Sequence, residues 1–167
     1  MAVVGGLALG AVGSGLLTQV EGSSLALLVG GSVVMGVGLG AVGTLGTDLI
    51  VGAAPPERAG AAARISETGT ELGGALGIAI LGSSGVAVYR SEVAGAVPAG
   101  IPPETAAAAR DTLGGAVGAA DRLPAGLPDT AGDAFVRGLQ LAALTSAALV
   151  AGMAVLAALL LRGHATD

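Results

Sequence analysis

Residues 72–89 read LGGALGIAILGSSGVAVY, a run of eighteen residues without a charged side chain. Three further uncharged runs cover residues 1–20, 22–47 and 138–161. A helix needs about 18 to 20 apolar residues to cross a hydrocarbon core of roughly 30 Å. Charged residues make up only 11% of the chain, whereas about 25% is usual in soluble domains. The sequence therefore predicts an all-α polytopic membrane protein with four transmembrane helices.

The helix boundaries follow from the positions of charges and prolines. A reversal at residues 21–24 separates the first two helices, and Pro55-Pro56 ends the second, because proline cannot continue a helix. We expect a single transmembrane domain over residues 1–167. Its four helices are predicted at about residues 1–20, 24–52, 59–90 and 131–162.

The loop at residues 91–130 is the only sizeable segment expected outside the membrane. Residues 91–134 contain six acidic residues and five of the seven prolines. Within the loop, Pro103 and Glu104 are typical of a first helical turn, so one helix is predicted over residues 103–121. Asp129 or Thr130 is then expected to cap the last transmembrane helix. Four crossings would place both termini on one side of the membrane, but the arginine counts do not decide which side.

Two carboxylates stand at the start of the third predicted helix. Glu67 and Glu71 are four residues apart, so they share one helix face, and Arg64 lies on the same side. Ionisable groups inside a membrane segment usually mark an ion or proton pathway. We therefore interpret Glu71 and Glu67 as a protonatable pair in a water-accessible cavity, on an ion or proton pathway. The alternative is an interfacial helix end in which Glu67 only pairs with Arg64.

Asp48 lies near the C-terminal end of the second helix, where the helix dipole disfavours an anion. We interpret it as a salt-bridge partner of Arg58 or Arg64. A second proton-coupling site is the alternative.

Several classes of function are disfavoured by what the sequence contains. There is no cysteine for a thiolate metal site, and His164 is the only histidine, so we expect neither a metal centre nor a catalytic triad. The seven basic residues are scattered arginines, which argues against nucleic-acid binding. We expect no enzyme activity and no cofactor.

Glycine patterns are interpreted as packing surfaces. Residues 38–43 match the dinucleotide pattern GxGxxG but lie deep in an uncharged run, without the strand that this motif requires. The pairs Gly6/Gly10, Gly36/Gly40 and Gly73/Gly77 instead predict flat helix faces for close packing.

One segment of the chain resembles a known family. It begins with PPERAGAAA at residues 55–63, continues with Ser66-Glu67, and ends with ELGGALGIAI at residues 71–80. This segment resembles the loop and penultimate helix of the fourteen-helix drug:proton antiporters of the major facilitator superfamily, the group that includes QacA, SmvA and EmrB. The layout of four spans, with a long loop before the last one, is similar over the whole chain.

The resemblance implies that the chain corresponds to the last four helices of such a transporter, in a bacterial cytoplasmic membrane. Both termini would be cytoplasmic and the loop extracellular. In this family, acids of the penultimate helix that correspond to Glu67 and Glu71 are implicated in proton coupling and in attracting cationic drugs. The implied partners are protons, lipophilic or cationic small molecules, the lipid bilayer and some ten missing transporter helices. A four-helix piece is not expected to transport by itself.

Two functions therefore remain open from the sequence. The first is the C-terminal portion of a proton-coupled multidrug efflux transporter. The second is a small autonomous four-helix membrane protein with a structural or assembly role, in which the acids only fix helix packing.

Overall fold

The computed structural model describes residues 2–20 and 24–163, with side chains as far as residue 160. These residues form helices and no strand. The helices are α1 (Ala2–Leu17), α2 (Leu25–Gly52), α3 (Ala59–Ala96), α4 (Pro103–Asp111), α5 (Leu113–Gly118) and α6 (Leu127–Gly163), with 3-10 turns at Pro56–Arg58 and Ala120–Arg122. Most of the expected reversal at residues 21–24 lies outside the described residues, as does His164.

Three helices are long and apolar enough to cross a membrane. They are α2, the segment Pro56–Ala96 that contains α3, and Leu127–Leu160 of α6. In their most apolar stretches only 11%, 6% and 6% of the residues are buried. Helices that are hydrophobic all round, with their apolar side chains facing outward, suit a bilayer and not water. The chain is therefore an all-α membrane protein. As described, α1 has 16 residues, which is short of the usual span, and a fourth crossing stays a prediction.

The first helix packs between α2 and α6, and glycines allow the close approach to α2. A Cβ atom added at Gly13 would collide with the backbone of Met35, and one at Gly38 would collide with the backbone of Gly10. On its other side α1 is joined to α6, where Gln140 Nε2 donates a hydrogen bond to the Val20 carbonyl at 2.7 Å. This bond ties the chain just beyond the end of α1 to α6.

The third helix packs against α6 through a second glycine contact. A Cβ atom at Gly138 would lie 2.6 Å from the carbonyl oxygen of Gly85, so the two backbones meet directly.

Of the three glycine pairs predicted to form packing faces, one is right. Gly6 and Gly10 do pack against α2.

The other two predicted glycine faces are wrong for the described residues. Gly36, Gly40, Gly73 and Gly77 have nothing within 4 Å of an added Cβ. The spacing is correct for a helix face, but on α2 the close contacts fall at Gly31 and Gly38, on the opposite side of the helix. On α3 the close contact falls at Gly85, farther along the chain. Sequence spacing alone does not reveal which face meets a neighbour.

The connection between α3 and α6 forms a compact cap, defined here as residues 97–126. The helix predicted over residues 103–121 is divided at Thr112, which has extended backbone angles and accepts a hydrogen bond from the Gly115 backbone N–H at 3.0 Å. Thr112 is therefore an N-cap that starts a new helix. Gly115 then passes so close to the Ala108 carbonyl that a side chain there would collide with it.

Both long helices extend beyond their predicted ends to hold the cap. α3 continues to Ala96, and α6 begins at Leu127, before the predicted cap residues Asp129 and Thr130. Gly126 adopts a positive φ of 89° immediately before α6, and Pro128 fits the first turn, where its missing N–H is not needed.

The larger of the two buried apolar clusters among the described residues lies where the cap meets these two helix ends. The group comprises Tyr89, Val93, Val97, Ala106, Ala109, Ala116, Leu123, Leu127, Ala131 and Ala134. The Tyr89 hydroxyl donates a buried hydrogen bond of 2.7 Å to the Ala109 carbonyl. Two ion pairs lie nearby, Arg90 with Asp111 at 3.1 Å and Arg137 with Glu92 at 3.2 Å. The cap is therefore packed onto the helices as a structural unit.

Candidate functional site

The predicted carboxylates meet in a groove between α2 and α3. The short turn through Pro56–Arg58 reverses the chain, so the C-terminal turns of α2 face the N-terminal turns of α3. The resulting α2–α3 groove has a volume of about 550 Å³. Its lining residues are small, hydroxylic or acidic, namely Gly43, Thr44, Thr47, Asp48, Ala63, Glu67, Thr70 and Glu71.

The three acids singled out from the sequence, Asp48, Glu67 and Glu71, therefore face the same space. Glu67 and Glu71 come from α3, separated by a rise of about 6 Å along the helix. Asp48 comes from the opposite wall, on α2. All three side chains are exposed in the chain as it stands. Among residues 2–20 and 24–163, no group of three acids or histidines is close enough to hold a metal ion.

Hydroxyl groups lie among the carboxylates and link the two walls. Thr47 Oγ1 and Ser66 Oγ are 3.2 Å apart across the groove. Thr44 donates to the Gly40 carbonyl at 3.2 Å, and Thr70 donates to the Ser66 carbonyl at 2.9 Å. Because these two hydroxyls donate within their own helices, their oxygen lone pairs remain available as acceptors in the groove. The groove can therefore accept protons, water or a cation, but it offers no fixed positive charge.

The predicted arginine partners lie elsewhere. Arg64 lines a separate surface of α3 with Ile65, Thr68, Gly69 and Leu72. In the part of the chain that the structure describes, neither Arg58 nor Arg64 forms an ion pair with Asp48 or Glu67. The expected salt bridge of Asp48 is thus not formed, because Arg64 stands at the edge of this helix face and lies beside Ile65 and Leu72 rather than in the groove. Asp48 faces the two glutamates instead.

A second cavity, which we name the cap pocket, lies between α3, α6 and the cap. It has a volume of about 270 Å³. Small residues of the two helices leave the space, Gly82 and Gly85 on α3 and Gly138 and Ala142 on α6. Tyr89 and Phe135, the only aromatic residues of the chain, both line it, as do Asp111 and Thr112 of the cap. Sequence reasoning missed this pocket, because its formation depends on how the cap folds back onto the two helices.

Comparisons with known proteins relate the sequence of this chain to that of a multidrug efflux pump. No model of a known protein family matches the chain, and no solved structure matches it. The chain is similar to the multidrug efflux pump LfrA of Mycolicibacterium smegmatis. The two sequences are 40% identical over 139 residues, which is 81% of this chain and 26% of LfrA. The chain thus spans about a quarter of the length of LfrA.

Proposed function

We propose that this chain is the C-terminal four-helix portion of a proton-coupled multidrug efflux transporter of the major facilitator superfamily. It would export lipophilic or cationic compounds across a bacterial cytoplasmic membrane. The observation that carries this proposal is the 40% identity to LfrA over 81% of the chain. An alignment over 81% of the chain includes most of its helical residues, and it favours a transporter segment over an unrelated small membrane protein.

The α2–α3 groove would be the coupling site. Carboxylates in membrane segments are costly and are found where ions or protons pass. Glu71 lies one turn farther along α3 than Glu67, so it would lie deeper in the membrane and act as the proton carrier. Glu67, nearer the helix start, would attract the cation. Asp48 on the opposite wall would add to the negative charge of the same groove.

The rest of the transporter would complete this site. As described, the groove is open and its acids are exposed. Some ten further helices would cover the outward faces of α2 and α3 and restrict the access of water. In the proposed orientation both termini are cytoplasmic, the groove opens near the cytoplasmic face and the cap is extracellular. The chain is thereby expected to transport only together with those helices.

A segment exchange tests the proposal. A chimera is made in which this chain replaces the matched segment of LfrA. The chimera is expressed in an M. smegmatis strain that lacks the LfrA gene, and the efflux of a fluorescent cationic dye is measured. We expect the chimera to restore efflux. A carboxylate that carries a proton cannot be replaced by an amide, which neither ionises nor attracts a cation, so Glu71→Gln is expected to reduce efflux to the level of the deletion strain. Glu71→Asp is expected to keep part of it.

The matched control is Glu104→Gln, which makes the same change in the first turn of α4, away from the groove. It should leave efflux unchanged at equal protein levels in the membrane. Glu67→Gln should impair some cationic dyes more than others. If the Glu71→Gln chimera expels dyes as the parent does, the acids have only a packing role and the proposed mechanism is wrong.

A further inference from the structure

The cap pocket combines an apolar interior with a single acidic lining residue. Its walls are aliphatic side chains and glycine backbone, and its two aromatic rings come from α3 and α6. The carboxylate of Asp111 stands among the lining residues. A volume of about 270 Å³ is close to the lower end of the range for small-molecule sites, about 300 to 1,000 Å³.

The aromatic rings are held in different ways. Tyr89 is 4% exposed, and its hydroxyl is fixed by the hydrogen bond to the Ala109 carbonyl. Phe135 is 49% exposed and belongs to no buried cluster of the described residues. The Tyr89 ring is therefore a fixed wall of the pocket, and the Phe135 ring presents an open face that a ligand can cover. Aromatic faces attract organic cations through the ring quadrupole.

The charge around the pocket also favours a cation. Asp111 pairs with Arg90 at 3.1 Å, but both side chains are more than half exposed, at 63% and 58%. An exposed pair of this kind is weak and screened, and Arg90 approaches only one oxygen, Oδ1. With the two paired arginines included, residues 90–137 carry six acids against four arginines, so a net negative charge remains on this side of the molecule and favours cations over anions.

We propose that the cap pocket binds a small aromatic cation, with its rings between Phe135 and the glycine-lined floor and its charge beside Asp111. This site is separate from the α2–α3 groove, because it lies at the opposite end of α3. The role of this site rests on the proposed efflux function, in which it would be a second binding position near the outer membrane surface. Binding itself can be measured without transport.

The experiment measures binding of proflavine, a planar aromatic monocation, to the whole chain. The purified chain is placed in phosphatidylcholine nanodiscs, fluorescence anisotropy is recorded, and empty nanodiscs serve as the blank. Acridine has the same three fused rings but is neutral at neutral pH. We expect proflavine to bind more tightly than acridine, and we expect Phe135→Ala to raise its Kd about tenfold.

Two further variants separate shape from charge. Gly82 lines the pocket, and an added Cβ meets nothing within 4 Å, so Gly82→Leu should fill the space without disturbing the helices. Its matched control is Gly74→Leu, which is equally open on the same helix but lies outside the pocket. Asp111→Asn should weaken proflavine binding, whereas Asp121→Asn, the same change elsewhere in the cap, should not.

Several results would overturn the inference. Equal binding of proflavine and acridine, unchanged by Asp111→Asn, would mean that the pocket holds a neutral apolar molecule or a lipid chain. Binding that resists both Phe135→Ala and Gly82→Leu but is lost in Glu71→Gln would place the cation in the groove, leaving the efflux proposal intact. Conversely, pocket variants that weaken binding while the Glu71→Gln chimera still transports would support the pocket and refute the coupling mechanism.

Discussion

Replacing Gly138 by alanine should loosen the packing of α3 against α6. The new Cβ would lie 2.6 Å from the Gly85 carbonyl oxygen, and ordinary contact begins at 3.4 Å. The two helices must therefore separate by about 0.8 Å, and overpacking of this kind costs about 1 to 3 kcal/mol. Alanine also has a higher helix propensity than glycine by about 1 kcal/mol, which partly offsets the steric cost.

The control for this experiment is Gly152→Ala on the same helix, where an added Cβ meets nothing within 4 Å. Both variants gain the same helix propensity, so the difference between them isolates the steric cost. We expect Gly138→Ala to be less stable than Gly152→Ala by about 1 to 3 kcal/mol. The free energy of unfolding is measured by circular dichroism in mixed micelles with increasing dodecyl sulfate. If the two variants are equally stable, the direct backbone contact between α3 and α6 does not exist.

Three other changes test separate parts of the structure. Tyr89→Phe removes the buried hydrogen bond to the cap and should cost about 1 to 3 kcal/mol in the same assay; no loss would mean that the cap is held without it. Gly38→Ala should destabilise the chain, because a Cβ there meets the α1 backbone, whereas Gly36→Ala, with open space, should not; equal effects would contradict the α1–α2 packing. Single cysteines at Ala107 and Ala59 should react with membrane-impermeant reagents from opposite sides of the membrane, Ala107 from outside, and labelling of both from one side would rule out the four-span topology.

The helical membrane character could be predicted from the sequence because it depends on composition and run length. Uncharged runs of this length have no stable alternative in lipid, where the backbone must satisfy its own hydrogen bonds. The existence of α2, α3 and α6 followed from that constraint. Their ends were less predictable. α3 continues to Ala96 because Val93, which is fully buried, packs against the cap and α6, a contact between residues that are distant in sequence.

The candidate site was predictable within one helix and not between helices. The spacing of Glu67 and Glu71 placed both on one face of α3, and both line the groove. The position of Asp48 opposite them could not be derived, because it depends on the angle at which the turn returns α3 along α2. Whether Arg64 would reach the groove from the edge of that face could not be derived either, and it lies on a different surface of α3. The cap pocket could not be predicted from the sequence either, because it forms only when the cap folds back between two helices.

The contact between Gly85 and Gly138 also provides a pivot point about which α3 can tilt on α6. Two glycine backbones touch there without interlocking side chains, so α3 can tilt on α6 without forcing large groups past one another. Glu71 lies about 21 Å from this point in one direction, and Ala96 lies about 16 Å from it in the other. A rigid helix that tilts there moves its two ends in opposite directions. A tilt that displaces the carboxylates would therefore also strain the buried cluster that holds Tyr89 and Val93 against the cap and α6, so the two ends of α3 would be coupled.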